Sequence, residues 1–371
     1  MRTRLVSAGL ADIDDKLQAR ERLTLEDGVH LFESPDLLAV GYLANRERER
    51  LHGARTYFNY NLRLEPTNVC EATCLFCSFS RLEQGMPEAY TMTLEQAWDK
   101  LRQRADQPLT EVHVVNGLNP HLPFSYYTDL LRGFKRIRPE IHLKCFTAVE
   151  IAYFADLYAM SDEQVMRELM AAGLDSLPGG GAEIFAPRVR KKISADKADA
   201  DRYLSIHGTA HRLGMKTNVT MLYGHIETFE ERVDHMLRAR TQQDQSGGFQ
   251  AFIPLPFLPG NTDFAYLPGP TREEKLRTIA VARLMLDNFA HIKGHWVMLG
   301  EEITSEALSF GLDDLSGTLT EERIAHATTV QTPLGLSEER MQNLIRAGGK
   351  APAERDTLYG GVARDGMAAS A

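Results

Sequence analysis

Cysteine is scarce in this chain, four in 371 residues, and three of them crowd into one short stretch as Cys70, Cys74 and Cys77. So few, so clustered, do not read as a disulfide framework. Long apolar runs are missing too: no window reaches the ~18 apolar residues of a membrane span, and residues 1–20 hold no long apolar core of a signal peptide. The expectation is a protein that does not engage a membrane. Basic residues are outnumbered, with a net charge of −9, which argues against a nucleic-acid surface. The one basic run, Arg188-Val-Arg-Lys-Lys192, reads as a solvated helix end or an anion contact. No internal repeat of 20–50 residues is visible, so a solenoid is not indicated. What remains, 43% hydrophobic and 25% charged residues, is an ordinary globular composition able to bury a large core.

The pattern along the chain supplies the fold class. Residues 1–55 are charged and amphipathic, with Leu31, Leu37, Leu38, Val40, Tyr42 and Leu43 at helical spacing, and Arg46-Glu-Arg-Glu-Arg50 reads as an exposed helix end. From Tyr57 onward, mostly apolar strands alternate with helices. Strands are expected at Tyr57–Leu64, Glu111–Val115, His142–Phe146, Ser176–Leu177, Lys216–Met221 and Gln250–Ile253, with a further one at His295–Leu299. Helix starts are marked by the capping-box pairs Thr93/Gln96, Ser161/Gln164, Thr228/Glu231 and Thr271/Glu274. Alternation of this kind predicts an α/β fold with a parallel sheet, and six or more right-handed βα units curl into a barrel or partial barrel. The expected organisation is a helical extension over 1–55, a βα-barrel core over 56–300, a C-terminal helical segment over 301–350 (helix-like at Thr320–Thr328 and Ser337–Ala347), and a flexible tail over 351–371.

The first strand stops at Pro66 and opens into the cysteine loop, Cys70-x3-Cys74-x2-Cys77. Three soft sulfur ligands on one loop suit an iron–sulfur cluster or zinc. A four-iron cubane normally takes four thiolates, and Cys145 lies in a distant strand, so one iron would stay open to a small molecule. Zinc sites usually pair two Cys-x2-Cys knuckles or add histidine, and this chain has no second knuckle.

The cysteine spacing, with Phe76 before the third cysteine, resembles the radical S-adenosylmethionine (SAM) superfamily, and the likeness covers most of residues 57–330. The strings Leu-Asp-Ser-Leu-Pro-Gly-Gly-Gly-Ala-Glu-Ile-Phe (174–185), Thr-Met-Leu-Tyr-Gly-His-Ile-Glu-Thr (220–228), Phe-Gln-Ala-Phe-Ile-Pro-Leu-Pro-Phe (249–257) and Asn-Phe-Ala-His-Ile-Lys-Gly-His-Trp-Val-Met-Leu-Gly (288–300) are similar to the group containing aminofutalosine synthase, dehypoxanthine futalosine cyclase and the deazaflavin-forming enzymes. Those around Phe185 and Gln250 are nearest the aminofutalosine synthase family of menaquinone biosynthesis. The resemblance implies a partial, six-unit TIM-like barrel and a [4Fe-4S] cluster held by Cys70, Cys74 and Cys77. It also implies SAM as a co-substrate and a 5′-deoxyadenosyl radical that adds to 3-[(1-carboxyvinyl)oxy]benzoate. A one-electron reductant such as flavodoxin or ferredoxin would be needed, and an oxygen-sensitive cluster implies a reducing cytoplasm. Two other readings stay open: a hydrogen-abstracting cyclase of the same family, and a simple iron–sulfur electron carrier.

In βα barrels the active site lies at the C-terminal ends of the strands, and polar or glycine-rich residues gather there. After the second expected strand comes Asn116-Gly117-Leu-Asn-Pro, a position where the family binds the methionine amino group; the usual Gly-Gly-Glu is absent, and so is the histidine of Gly-Gly-Leu-His-Pro. Glu150, after the third strand, reads either as an amine or ribose acceptor or as a helix-opening carboxylate. Gly179-Gly180-Gly181 makes either a sharp turn or a cofactor-lining backbone. For a dicarboxylate substrate the candidate anchors are Arg63, Arg81 and His225, the last two also being candidate catalytic residues.

Overall fold

A computed structural model describes residues 1–318 and 321–362. Its centre is one parallel sheet: β1 (Arg55–Phe58), β2 (Asn61–Leu64), β3 (Glu111–Val114), β4 (His142–Cys145), β5 (Ser176–Leu177), β6 (Lys216–Tyr223), β7 (Phe249–Pro256), β8 (His291–Gly294), β9 (Asp314–Leu315) and β10 (Ala351–Glu354). The strands run in the order β10-β1-β9-β8-β7-β6-β5-β4-β3-β2. A helix or helix pair crosses between successive strands from β2 to β8, the α/β arrangement expected of βα units. β1 and β2 are two halves of one run through Asn59-Tyr60. Beyond β9, Thr318 donates its N–H to the Asn59 carbonyl, and its hydroxyl accepts from the Asn61 N–H. The sheet therefore curls round until its far side meets its first strand, as the twist of parallel βα units requires.

The differences from expectation have physical causes. The Tyr57–Leu64 strand breaks at Asn59-Tyr60 because its halves take different neighbours: β1 lies between β9 and β10, while β2 pairs with β3. The strand expected at His295–Leu299 lies earlier, at His291–Gly294, and Trp296–Leu299 is a helical turn. There the Trp296 indole N–H donates to the Gly317 carbonyl at 2.8 Å, and Gly300 (φ +84°) ends the turn. Pro254 and Pro256 sit inside β7, which β8 accompanies only as far as Ala251 and Phe252; the two prolines therefore remove no ladder bond on that side. Three of the four capping boxes close reciprocally. At Thr271 only the hydroxyl half forms, since Glu274 is engaged by Arg232.

Four helices (Arg2–Ser7, Ala11–Ala19, Leu25–Glu33, Leu37–His52) make up the N-terminal extension and pack on the outer helices of the barrel. Phe32 stacks on Phe229 with centroids 4.9 Å apart. The charged run at 46–50 is not simply an exposed helix end. Arg48 is fully buried and donates to the carbonyls of Leu312, Gly53 and Arg55, fastening this helix to the sheet.

The sheet also outruns the expected core boundary at residue 300, since β9 and β10 follow it. Residues 351–362 are not a loose tail: β10 pairs along its length with β1, and Arg355 and Thr357 are each 1% exposed. Residues 363–371 lie outside the described residues, as does Thr320, the start of the helix expected over Thr320–Thr328, where one 3-10 turn forms at Ala325–Ala327.

Candidate active site

Parallel strands buried on both faces normally read as aliphatic runs. Here the inward positions are polar at every second residue: Asn59, Asn61 and Arg63 along the first run, Glu111 and His113 on β3, Asn218 and Thr220 on β6, and Lys293 with His295 at β8. The barrel interior is thus a chamber of about 290 Å³ and not a packed core. Its upper wall is the cysteine loop, the turn after β3 and the glycine run after β5. Leu222, Ile253, Leu255, Phe257 and Met298 add apolar lining.

Cys70, Cys74 and Cys77 all line the mouth of this chamber. The loop that carries them is held by backbone. Cys70 donates to the Arg81 carbonyl, Arg81 to the Asn68 carbonyl, and Leu75 to the Ile193 carbonyl, at 2.8, 2.8 and 3.0 Å. Burial pushes the Cys74 thiol up to about 11 against the pull of Lys197. The Lys197 ammonium sits 5.1 Å from the Phe76 ring centre and 2.8 Å from Glu183. It is a cation placed to favour thiolate, which is what a metal centre needs. The three sulfurs are not drawn together as a single ion would draw them. Tetrahedral zinc at about 2.3 Å from each sulfur would bring them to about 3.8 Å of one another, whereas among the described residues the one set of three metal-type donors within 4.8 Å is His52, His291 and Asp313. Spaced thiols on a loop, with the fourth cysteine, Cys145, fully buried in β4, fit a multi-iron cluster with one iron left open.

The other expected residues divide clearly. Asn116, Gly117, Glu150, Gly179, Gly180 and Gly181 line the chamber. Glu150 is 1% exposed and closes a capping box with Thr147 while also accepting from the Asn116 N–H at 3.0 Å. Burial pushes its carboxyl up to about 7 against those bonds. The side-chain oxygen of Asn116 is buried without a partner. Gly117 approaches the Val69 carbonyl so closely that a Cβ would lie 2.3 Å from its oxygen. Gly179 presses on the β6 backbone, and Gly181 has φ +88° with Val149 where a Cβ would go. The glycine run therefore both lines the chamber and is needed for packing. Arg190, from the basic run, is buried and donates to the Gly181, Ala182 and Ala198 carbonyls; it braces the run rather than contacting solvent or an anion.

Arg81 and His225 do not line the chamber. The Arg81 guanidinium caps the Ser78, Ser80 and Pro87 carbonyls and pairs with Glu88, so it shapes the cysteine loop. The His225 side chain is buried between the Leu222 carbonyl, the Ile226 N–H and Glu227. Neither side chain is among those that face the chamber. Arg63, the third candidate anchor, does face the chamber. Lys197, Glu183, His113, Lys293, His295 and Glu322 also face it and escaped sequence reasoning. For His113 and Lys293 a signal existed, a polar residue at inward spacing within a buried strand.

Residues 64–239 match the model of the radical SAM superfamily, and residues 246–365 match the CofH/MqnC C-terminal region. The chain is 45% identical over 354 residues to the aminodeoxyfutalosine synthase of Thermus thermophilus, covering 94% of this chain and 95% of that protein. It is 44% identical over 366 residues to the aminodeoxyfutalosine synthase of Streptomyces coelicolor, covering 95% and 94%. The cyclic dehypoxanthine futalosine synthase of Halalkalibacterium halodurans is 36% identical over 340 residues, 91% of each chain. Among solved structures, the FeFe-hydrogenase maturase HydG from Carboxydothermus hydrogenoformans superposes with a TM-score of 0.72 at 16% identity, covering 96% of this chain and 82% of that one. Likeness at that identity supports the barrel fold alone.

Proposed function

This chain belongs to the radical SAM superfamily, and from that premise we propose that it is an aminodeoxyfutalosine synthase. The reaction joins the 5′-deoxyadenosyl group of SAM to the enol-ether alkene of 3-[(1-carboxyvinyl)oxy]benzoate. Rearrangement and loss of CO2 or bicarbonate then give 6-amino-6-deoxyfutalosine and methionine. The observation that carries the reading is similarity along nearly the whole chain to relatives bearing that name. The chamber supports it, since the cysteine loop lines it together with apolar Leu222, Ile253, Leu255, Phe257 and Met298.

Cys70, Cys74 and Cys77 would hold a [4Fe-4S] cluster, with Lys197 beside it. When bound there and reduced by a small electron carrier such as flavodoxin or ferredoxin, the cluster supplies the electron that cleaves SAM. The chain's own groups do the positioning. Asn116, the Gly117 backbone and Glu150 offer an orphan acceptor and a carboxylate to an amine or ribose. The Gly179–Gly181 backbone lets a ligand lie against the wall, and the apolar belt excludes water and stray donors from a reactive carbon. A reducing cytoplasm is the setting such a centre requires.

The related cyclase is a second reading, kept open by the 36% identical relative. A product assay by mass separates the two: reduced protein with SAM and the enol ether should yield aminodeoxyfutalosine. With dehypoxanthine futalosine offered in place of the enol ether, stoichiometric 5′-deoxyadenosine and a cyclised product, the enol ether staying unreacted in the parallel assay, would overturn the synthase reading.

A further inference from the structure

Below the cysteine mouth the chamber holds polar atoms that the protein itself does not satisfy. Arg63 on β2 is in register with His113 on β3, and His295 follows β8 directly; all three line the chamber. Nε2 of His113 and Nδ1 of His295 are buried with no hydrogen-bond partner. Arg63 gives its Nε to Glu65 at 2.6 Å, while its terminal nitrogen stands 3.9 Å from Glu322, beyond hydrogen-bond reach. A buried, unsatisfied nitrogen is destabilising, a penalty that a ligand would remove. Burial, with Arg63 adding to it, pulls His113 well below its ordinary range, and burial pulls His295 down to about 4. Both rings are neutral at physiological pH; with the ring proton on the unpartnered nitrogen each is a donor, while the charge comes from Arg63. A guanidinium fork flanked by two neutral donors matches a carboxylate.

We propose that Arg63, His113 and His295 form a carboxylate subsite deep in the chamber, which takes the ring carboxylate of an aromatic substrate and so presents its alkene to the cysteine mouth. The inference rests on the function proposed above. The substrate's own bonding fixes the polarity. The adenosyl carbon is released at the cysteine loop, so the alkene lies at that end. The enolpyruvyl carboxylate is bonded to an alkene carbon and stays beside it. The ring carboxylate, across the ring, is the end left to face inward, and Leu222, Ile253, Leu255 and Phe257 give the same chamber apolar surface to hold the ring.

The test measures binding of two probes to cluster-loaded, unreduced protein with SAM present: the enol ether itself, and its analogue lacking the ring carboxylate. The wild-type protein should hold the full enol ether at least about tenfold more tightly. In His113→Gln and His295→Gln, which leave no buried charge unpaired, that ratio should shrink several-fold while the Kd of the analogue stays constant. Arg63→Lys should shrink it as well, with thermal melting confirming the fold. A ratio near one in the wild type, a ratio unchanged in all three variants, or equal weakening of both probes would overturn the subsite. Failure of the function proposed above looks different: the enol ether binds with the expected discrimination but is recovered unchanged after reduction.

Discussion

The two ends of the barrel carry similar residues to opposite purposes. At the N-terminal end, Asp313 accepts from Arg283, the Ile292 N–H and His291, with His52 3.4 Å away. Its neighbour Asp314 accepts from both arms of Arg355 and from Tyr359, with Lys293 at 3.2 Å. Tyr359 stacks on His291 with centroids 3.7 Å apart. Every carboxylate oxygen there has a protein partner. In the chamber above, Asn59, His113, Asn116 and His295 each keep a buried polar atom that nothing meets. A histidine–carboxylate cluster that is fully paired holds a fold together. A cluster with orphan atoms around a chamber is prepared for a ligand.

Four experiments test that contrast. The largest effect belongs to the mouth: replacing Cys70, Cys74 or Cys77 by serine should abolish product and iron content while leaving the melting temperature within a few degrees. At the floor the result inverts. Arg283→Met or Asp313→Asn leaves a buried charge or donor unpaired and should cost about 3–5 kcal/mol of stability by denaturant unfolding. Gly181→Ala sits between them, since φ +88° and contact with Val149 both oppose a methyl group; it should cost about 1–3 kcal/mol. Gly180→Ala, where a Cβ would meet only Thr147 at 3.2 Å, should be milder. His225→Gln should give the smallest functional change, lowering stability slightly and leaving the substrate KM unmoved, because the ring faces protein on every side.

The pH dependence of unfolding should carry opposite signs from the two ends. Burial alone would raise Asp314, but Arg355 and Lys293 outweigh it and hold the carboxyl at about 2. Its contribution is therefore complete above the unfolded value of about 4 and is lost as pH falls toward 2. Glu150 is raised to about 7 by burial. Its contribution is complete below the unfolded value of about 4.5 and is lost as pH rises through 7. Asp314→Asn should remove the acid limb of the stability curve, and Glu150→Gln the slope between pH 4.5 and 7.

Much of this was legible in the sequence, because the signals were local. Strand–helix alternation, the capping pairs and the cysteine spacing each depend on residues a few positions apart, and they gave the parallel βα barrel and the loop at its mouth. What escaped depended on closure. β9 is two residues long, and β10 contains Pro352; neither reads as a strand without the β1 edge that each joins. Arg48 and Arg190 looked like solvated charges because sequence cannot show which backbone carbonyls await a donor. Arg81 and His225 sat beside the right turns, but their side chains turn into the protein. His113 and Lys293 were visible as polar residues in buried strands, and that alternation was the missed sign of a chamber.

The most direct test of the account uses SAM deuterated at the 5′ carbon, incubated anaerobically with the reduced protein and 3-[(1-carboxyvinyl)oxy]benzoate. The deuterium should appear in an adenosine-containing adduct formed one for one with methionine. Deuterium found only in free 5′-deoxyadenosine, with the enol ether intact, would contradict it.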